Sequence, residues 1–272
     1  TQLQSSAASD VYKRQGLICS FKEGGISILY YAERLYQLPL ALIGISIGTV
    51  ILPHLTSLNI NNQKKEMKSL LSNTIKIALA LIIPAAFGLI ILSETIVSVI
   101  YEYGVFGSAE VKIVSTVLIG FSLGLPAYVL IRIFSSAFYS MSDTKNPLKF
   151  SLYAISINIV LSVPLFIGFG VIGIAYATSV SAWIHVIIFY KKLKELSLVF
   201  FGKDTLADII KVLFSSAIMF LIIRLLINNI NLSYPAISLV ILVMIGLLSY
   251  LICLFLIGFY RKDDIKTFIK DF

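Results

Sequence analysis

Read as a succession of apolar and polar stretches, the chain divides into seven long hydrophobic runs, at about 26–52, 75–101, 113–140, 148–168, 171–190, 209–228 and 235–260. The runs are continuous and do not alternate, which argues against the strands of a membrane barrel, whose faces switch at every residue. A hydrocarbon core about 30 Å thick takes roughly 20 residues of helix, and a helix satisfies its backbone hydrogen bonds within the segment. The pattern therefore predicts an all-α integral membrane protein of about seven transmembrane helices.

The polar breaks orient these helices, because short loops rich in Lys and Arg stay in the cytoplasm. Cations gather at Lys64, Lys65 and Lys68, at Lys145, at Lys191, Lys192, Lys194 and Lys203, and in the tail at Arg261, Lys262, Lys266 and Lys270. The breaks between them hold little beyond Lys112. Span one then runs from outside to inside, and the multi-pass chain ends in the cytoplasm. The segment at 59–73 reads as a short basic amphipathic helix lying on the inner leaflet.

Composition agrees. Of 272 residues 58% are hydrophobic and only 13% charged, where soluble domains carry about a quarter charged. The net charge of +8 is dispersed among the breaks and makes no stripe for a nucleic-acid backbone, so no nucleic-acid partner is expected. Cys19 and Cys253 are far apart, no CxxC occurs, and no cofactor motif is present. Residues 1–15 are polar and patternless, as adaptor read-through joined to a truncated gene would be, and 16–25 read as the end of a truncated membrane helix.

Candidate chemistry lies inside the spans. Span one, GGISILYYAERLYQLPLALIGISIGTVILPHL, carries Glu33 and Arg34 about seven residues in. A buried charge costs at least about 2.5–3.5 kcal/mol on insertion scales, so such a pair normally faces a wet cavity. The alternative is that Arg34 snorkels to the outer headgroups with Glu33 neutralising it. Helical spacing puts Tyr30, Arg34, Gln37, Ala41, Gly44 and Gly48 on one stripe, and Pro39 should kink the helix near Arg34 and Leu35. Arg132 in span three has two readings, inward snorkelling or a cavity role, while Arg224 is a snorkelling residue. Asn158, Ser162, Thr178, Ser181 and His185 could bind a cation or a headgroup, or bond neighbouring helices. His54 and His185 have no paired carboxylate nearby in sequence, so no catalytic group is assigned and the chain is not read as an enzyme.

Four ordered motifs, the span-one stretch above, IYEYGVF, GLPAYVLIRIFSSAFYSMSDTKNP and GVIGIAYATSVSAW, resemble the MurJ (MviN) family of lipid II flippases over residues 16–262. The resemblance implies the second lobe of a transporter of the MurJ/MATE-like kind at 26–200, and two additional helices with a cytoplasmic tail at 201–272 that help form a groove for a lipid tail. It implies that lipid II, the undecaprenyl-linked peptidoglycan precursor, is flipped across the bacterial inner membrane by alternating access. Arg34 matches an essential cavity arginine, with Glu33 in place of the usual aspartate as its partner; Tyr30, Gln37 and Arg132 complete the expected substrate contacts. A coupling ion is implied as well. Asn158 and Thr178 match two sodium ligands of some members, but Ser162 stands where an aspartate is expected. The other cavity arginines come from helices this chain lacks, so the fragment alone is not expected to transport. Rival readings are another exporter of the superfamily, a polyprenyl-lipid transferase, for which Asp204, Asp208, Asp263 and Asp264 are too scattered to bind Mg²⁺, and a scaffold of the division machinery.

Overall fold

A computed structural model of the chain describes residues 25–104, 106–199, 203–227 and 235–259. The polar leader, the truncated helix end, the 228–234 break and the tail cations beyond Phe259 lie outside the described residues. Span one is α1 (Gly25–Pro39), a π-helical turn (Leu40–Ile45) and α2 (Ser46–Ile60). There follow α3 (Lys64–Ile91), α4 (Ser93–Tyr101), α5 (Ser108–Ser122), α6 (Leu125–Ser140), α7 (Lys145–Phe169), α8 (Val171–Glu195), α9 (Lys203–Leu226) and α10 (Pro235–Leu256). Seven of the described stretches are long and apolar enough to cross a membrane, as the hydrophobic pattern predicts.

Three expectations are corrected. The 59–73 segment is no separate surface helix: α2 runs to Ile60, a turn carries Asn62 at φ +57°, and Lys64 already begins the 28-residue α3. The predicted second span, 75–101, is two helices, because α3 stops at Ile91 and Ser93, whose hydroxyl donates to the Ile90 carbonyl at 3.1 Å, opens α4. The proline of span one does not kink it at Arg34 and Leu35. Pro39 lacks an N–H, and the helix widens just after it into the π turn.

Span three, α5 and α6 broken at Gly124, is the most deeply buried of the seven and stands at the centre. Gly120 lets α8 approach so closely that a Cβ there would lie 2.9 Å from that of Ala175, and the Ser179 hydroxyl donates to the Gly120 carbonyl at 2.6 Å. Further along the same parallel pair, Phe134 and Phe138 of α6 meet Phe189 of α8, with Phe150 of α7 stacked edge-on. Span one packs on the other flank. Gly44 and Gly48 face α6, the Ser136 hydroxyl donates to the Gly48 carbonyl at 3.3 Å, and the Asn59 amide donates to the Ser140 carbonyl at 3.3 Å. The GxxxG pair is thus a packing seam.

The last two helices dock on α3. Asp208 of α9 binds Lys76 of α3 at 3.0 Å and Lys211 at 3.3 Å, and the Tyr250 hydroxyl of α10 donates to the Ala80 carbonyl at 2.6 Å. Asp208 is therefore committed to two lysines. Neighbours along the chain run antiparallel, and α7 turns into α8 through Gly170 at φ +63°, a conformation costly for any side chain.

Beside this turn, a Cβ on Gly173 would sit 2.1 Å from the Leu165 carbonyl oxygen. Gly173→Ala should therefore force the hairpin apart and lower stability by about 1–3 kcal/mol, the usual range for overpacking. Thermal unfolding in detergent measures it; an unchanged midpoint would show that the hairpin has room.

Candidate functional site

The charged pair of span one is divided by the geometry of the helix. Consecutive side chains diverge by about 100°, whereas residues four apart lie one above the other. Arg34 accordingly turns back to Tyr30: one Nη2–H donates to the phenol oxygen at 2.5 Å, and the guanidinium carbon lies 4.6 Å from the ring centroid. Glu33 turns forward, its Oε1 accepting from the Gln37 amide at 2.8 Å. Among the described residues no ion pair joins Glu33 to Arg34, which corrects the expectation that Glu33 orients the guanidinium. Tyr30 is 50% exposed and Arg34 is exposed with it, so the cation is held by an aromatic ring on an open face of the bundle.

The predicted stripe does not stay on one face. Tyr30, Arg34 and Ala41 are exposed and Gln37 half-buried, while Gly44 is buried and Gly48 half-buried against α6. The π turn between them carries more residues per turn and shifts the phase. Arg132 lies beside the glycine half: a Cβ on Gly44 would be 3.5 Å from Arg132 Cδ, so the aliphatic stem crosses the seam. Arg132 is exposed beside this seam. Ten residues of helix between Arg34 and Gly44 correspond to roughly 15 Å, and the two arginines do not form one cluster.

Asn158 and Thr178 do come together. The Asn158 amide donates to the hydroxyls of Thr178 at 3.3 Å and Ser181 at 3.0 Å, and its oxygen accepts from Ser162 at 3.3 Å. Thr178 donates onward to the Ile174 carbonyl at 2.8 Å, and Ser181 to that of Thr178 at 2.9 Å. The cluster is neutral, engaged within itself, and contains no carboxylate. Among the described residues no group of three or more His, Cys, Asp or Glu could hold a metal ion. As they stand, these residues form a hydrogen-bonded clasp between α7 and α8, with a serine at 162 where the family resemblance implies an aspartate. His185 is buried in span five, stacked 4.8 Å from Phe189.

Residues that the sequence reading did not single out pack around Tyr31 of α1. Tyr31 contacts Tyr101 at 4.8 Å and Phe106 at 5.6 Å between ring centroids. The abundance of Tyr and Phe in IYEYGVF was the available signal, but sequence does not say which helix such rings meet.

A sequence model of the family described as the lipid II flippase MurJ matches residues 15–245, short of the 16–262 covered by the motifs at its far end. The probable lipid II flippase MurJ of Rickettsia prowazekii (strain Madrid E) is 42% identical over 173 residues, which are 64% of this chain and 34% of that protein. Its counterpart in Vibrio cholerae serotype O1 is 31% identical over 253 residues, 90% of this chain and 48% of that one. A solved structure of the lipid II flippase MurJ in an inward closed conformation superposes with a TM-score of 0.73 at 31% identity, covering 86% of this chain and 47% of the other. The chain thus spans between a third and a half of the length of these relatives.

The Asn158 cluster makes a prediction about ions. Exchanging Na⁺ for K⁺ at constant ionic strength should leave thermal stability unchanged, and Asn158→Leu should lower it by about 1–3 kcal/mol by taking the acceptor from the buried Ser162 hydroxyl and the interhelical bonds to Thr178 and Ser181. A sodium-specific rise in the unfolding midpoint would contradict the clasp.

Proposed function

Since the chain belongs to the family of the lipid II flippase MurJ, we propose that it forms the second lobe of a transporter that moves lipid II from the inner to the outer leaflet of the bacterial inner membrane. Transport proceeds by alternating access between this lobe and a partner lobe of the same protein, with the C-terminus in the cytoplasm. The observation that carries this reading is the state of Arg34: a permanent cation, a third of the way along an apolar span, exposed and with no carboxylate partner among the described residues.

A guanidinium presents a planar fork of N–H donors that matches phosphate oxygens in pairs, and such charge-assisted bonds are about twice as strong as neutral ones. Were Glu33 its partner, a pyrophosphate would have to displace a carboxylate. With Glu33 bonded to Gln37, Arg34 is free to meet an anion, and Tyr30 limits the orientations it samples. Low dielectric around the span strengthens the attraction. Arg132, deeper along the path from the outside, offers a second cation to a headgroup in transit.

The cation-rich breaks at Lys64, Lys65 and Lys68 and at Lys145 support the cytoplasmic placement of the inner loops. Outward apolar side chains on α9 and α10, such as Phe214, Leu221, Val240 and Phe255, support a lipid-facing role for these additional helices, where a polyprenyl tail would lie. Energy coupling through sodium at Asn158 and Thr178 would have to use a cluster whose hydrogen-bonded side chains, Asn158, Ser162, Thr178 and Ser181, carry no charge.

In the gene product that contains this chain, Arg34→Ala should abolish growth of a strain that depends on it while expression stays normal, and Arg34→Lys should restore part of it, because a lysine keeps the charge but loses the fork. Full growth with Arg34→Ala would exclude Arg34 from the transport path.

A further inference from the structure

The motif YEYGVF at 101–106 lies far from Arg34 in sequence, and the reading of Arg34 as a phosphate contact leaves the motif unexplained. Its backbone reverses direction. The Tyr103 N–H donates to the Tyr101 carbonyl at 2.8 Å, Gly104 takes φ +63°, and the Phe106 N–H donates back to the Tyr103 carbonyl at 3.2 Å. Gly107 then donates to the Glu110 carboxylate at 3.0 Å and α5 begins. The left-handed residue, where glycine is strongly favoured, allows the turn that returns Phe106 toward Tyr101.

Three rings close on one another as a result. Tyr31 and Tyr101 lie 4.8 Å apart, Tyr31 and Phe106 5.6 Å apart at 89°, and Tyr101 and Phe106 6.1 Å apart, all within the range of favourable aromatic pairing. The Tyr101 hydroxyl also donates to the Tyr31 carbonyl at 3.4 Å. Tyr31 adjoins Tyr30, whose ring it meets edge-on at 6.4 Å, and Tyr30 holds Arg34. An unbroken series of contacts therefore runs from the turn after α4 to the guanidinium.

We infer that Tyr101 and Phe106, acting through Tyr31, are positioning residues for Arg34: they clamp the outer end of span one so that Tyr30 presents the guanidinium in one orientation to a pyrophosphate. The inference rests on the reading of Arg34 as a phosphate contact. Physically, the clamp supplies what an exposed arginine lacks. A long side chain on an open helix face loses rotamer freedom on binding, and a fixed Tyr30 removes part of that loss in advance.

The experiment uses the full-length gene product in detergent, titrated with undecaprenyl pyrophosphate and followed by native mass spectrometry, with thermal unfolding as the check on folding. Phe106→Ala should weaken binding about fivefold, the scale of one aromatic pair, and Phe106→Tyr should bind as the parent does. In an Arg34→Ala background, Phe106→Ala should cost nothing further, because a clamp that works through Arg34 has nothing left to position. Phe106→Leu, which keeps apolar volume without the ring, reads the same quantity where the alanine variant does not fold. Normal binding by ring-less Phe106 variants, with Arg34→Ala weakened, would overturn the inference alone; so would a loss that persists undiminished without Arg34. Binding unaffected by Arg34→Ala would overturn the reading beneath it and the inference together.

Discussion

The arrangement depends on how closely α8 can lie against span three. In hydrocarbon, helices gain little from hiding apolar side chains, so association rests on fitted surfaces and on hydrogen bonds between helices. Gly120 supplies the fit by removing a side chain where Ala175 arrives, and Ser179 supplies the bond by donating to the carbonyl that glycine leaves accessible. Everything else is ordered around this pair. The phenylalanines below it, Phe134, Phe138 and Phe189, meet because the backbones are already close. Span one meets the opposite flank of span three through its own two glycines, and in its first half Tyr36 packs on Phe121 while Tyr30 and Arg34 are left on the exposed side.

Hydroxyls in the spans bond both within and between helices. Ser122, Ser140 and Ser216 return theirs to carbonyls three or four residues back, Ser136 and Ser179 donate to carbonyls of neighbouring helices, and Asn158 engages Ser162 on its own helix and Thr178 and Ser181 across the α7–α8 hairpin. Arg34 differs from them. Its contact with Tyr30 stacks and directs the group without neutralising it, so its charge stays uncompensated among the described residues.

Much of this was legible in the sequence. Continuous apolar runs located the seven spans, because the length of a hydrocarbon-spanning helix is set by the solvent, but the run at 75–101 overran the end of its helix at Ile91 and took in α4. The same logic failed where a helix continues beyond the membrane, as α3 does through Lys64, Lys65 and Lys68, since amphipathic spacing is the same for a helix lying on the surface and one leaving it. Glu33 and Arg34 stood out as charges inside an apolar span, but adjacency in sequence suggested a pairing that helical geometry refuses. Asn158 and Thr178 were seen as potential partners; that they meet each other depends on the hairpin closing at Gly170. The rings around Tyr31 were illegible, because they come from a turn seventy residues away.

The π turn after Pro39 has one more consequence, for the length of the chain. It accommodates an extra residue between the charged and the glycine halves of span one. Deleting a single residue from Leu40–Ile45 would remove that extra residue and let the turn close to regular α geometry, with the two halves keeping their present rotation. The regular helix on either side has no such slack: a deletion there would turn the halves by about 100° relative to one another, and with Gly44 and Gly48 retained in their seam Arg34 would be swung off its face and Tyr31 drawn out of its cage. The wide turn is thus slack written into the chain, and it makes this short stretch tolerant of a change in length that the helix around it is not.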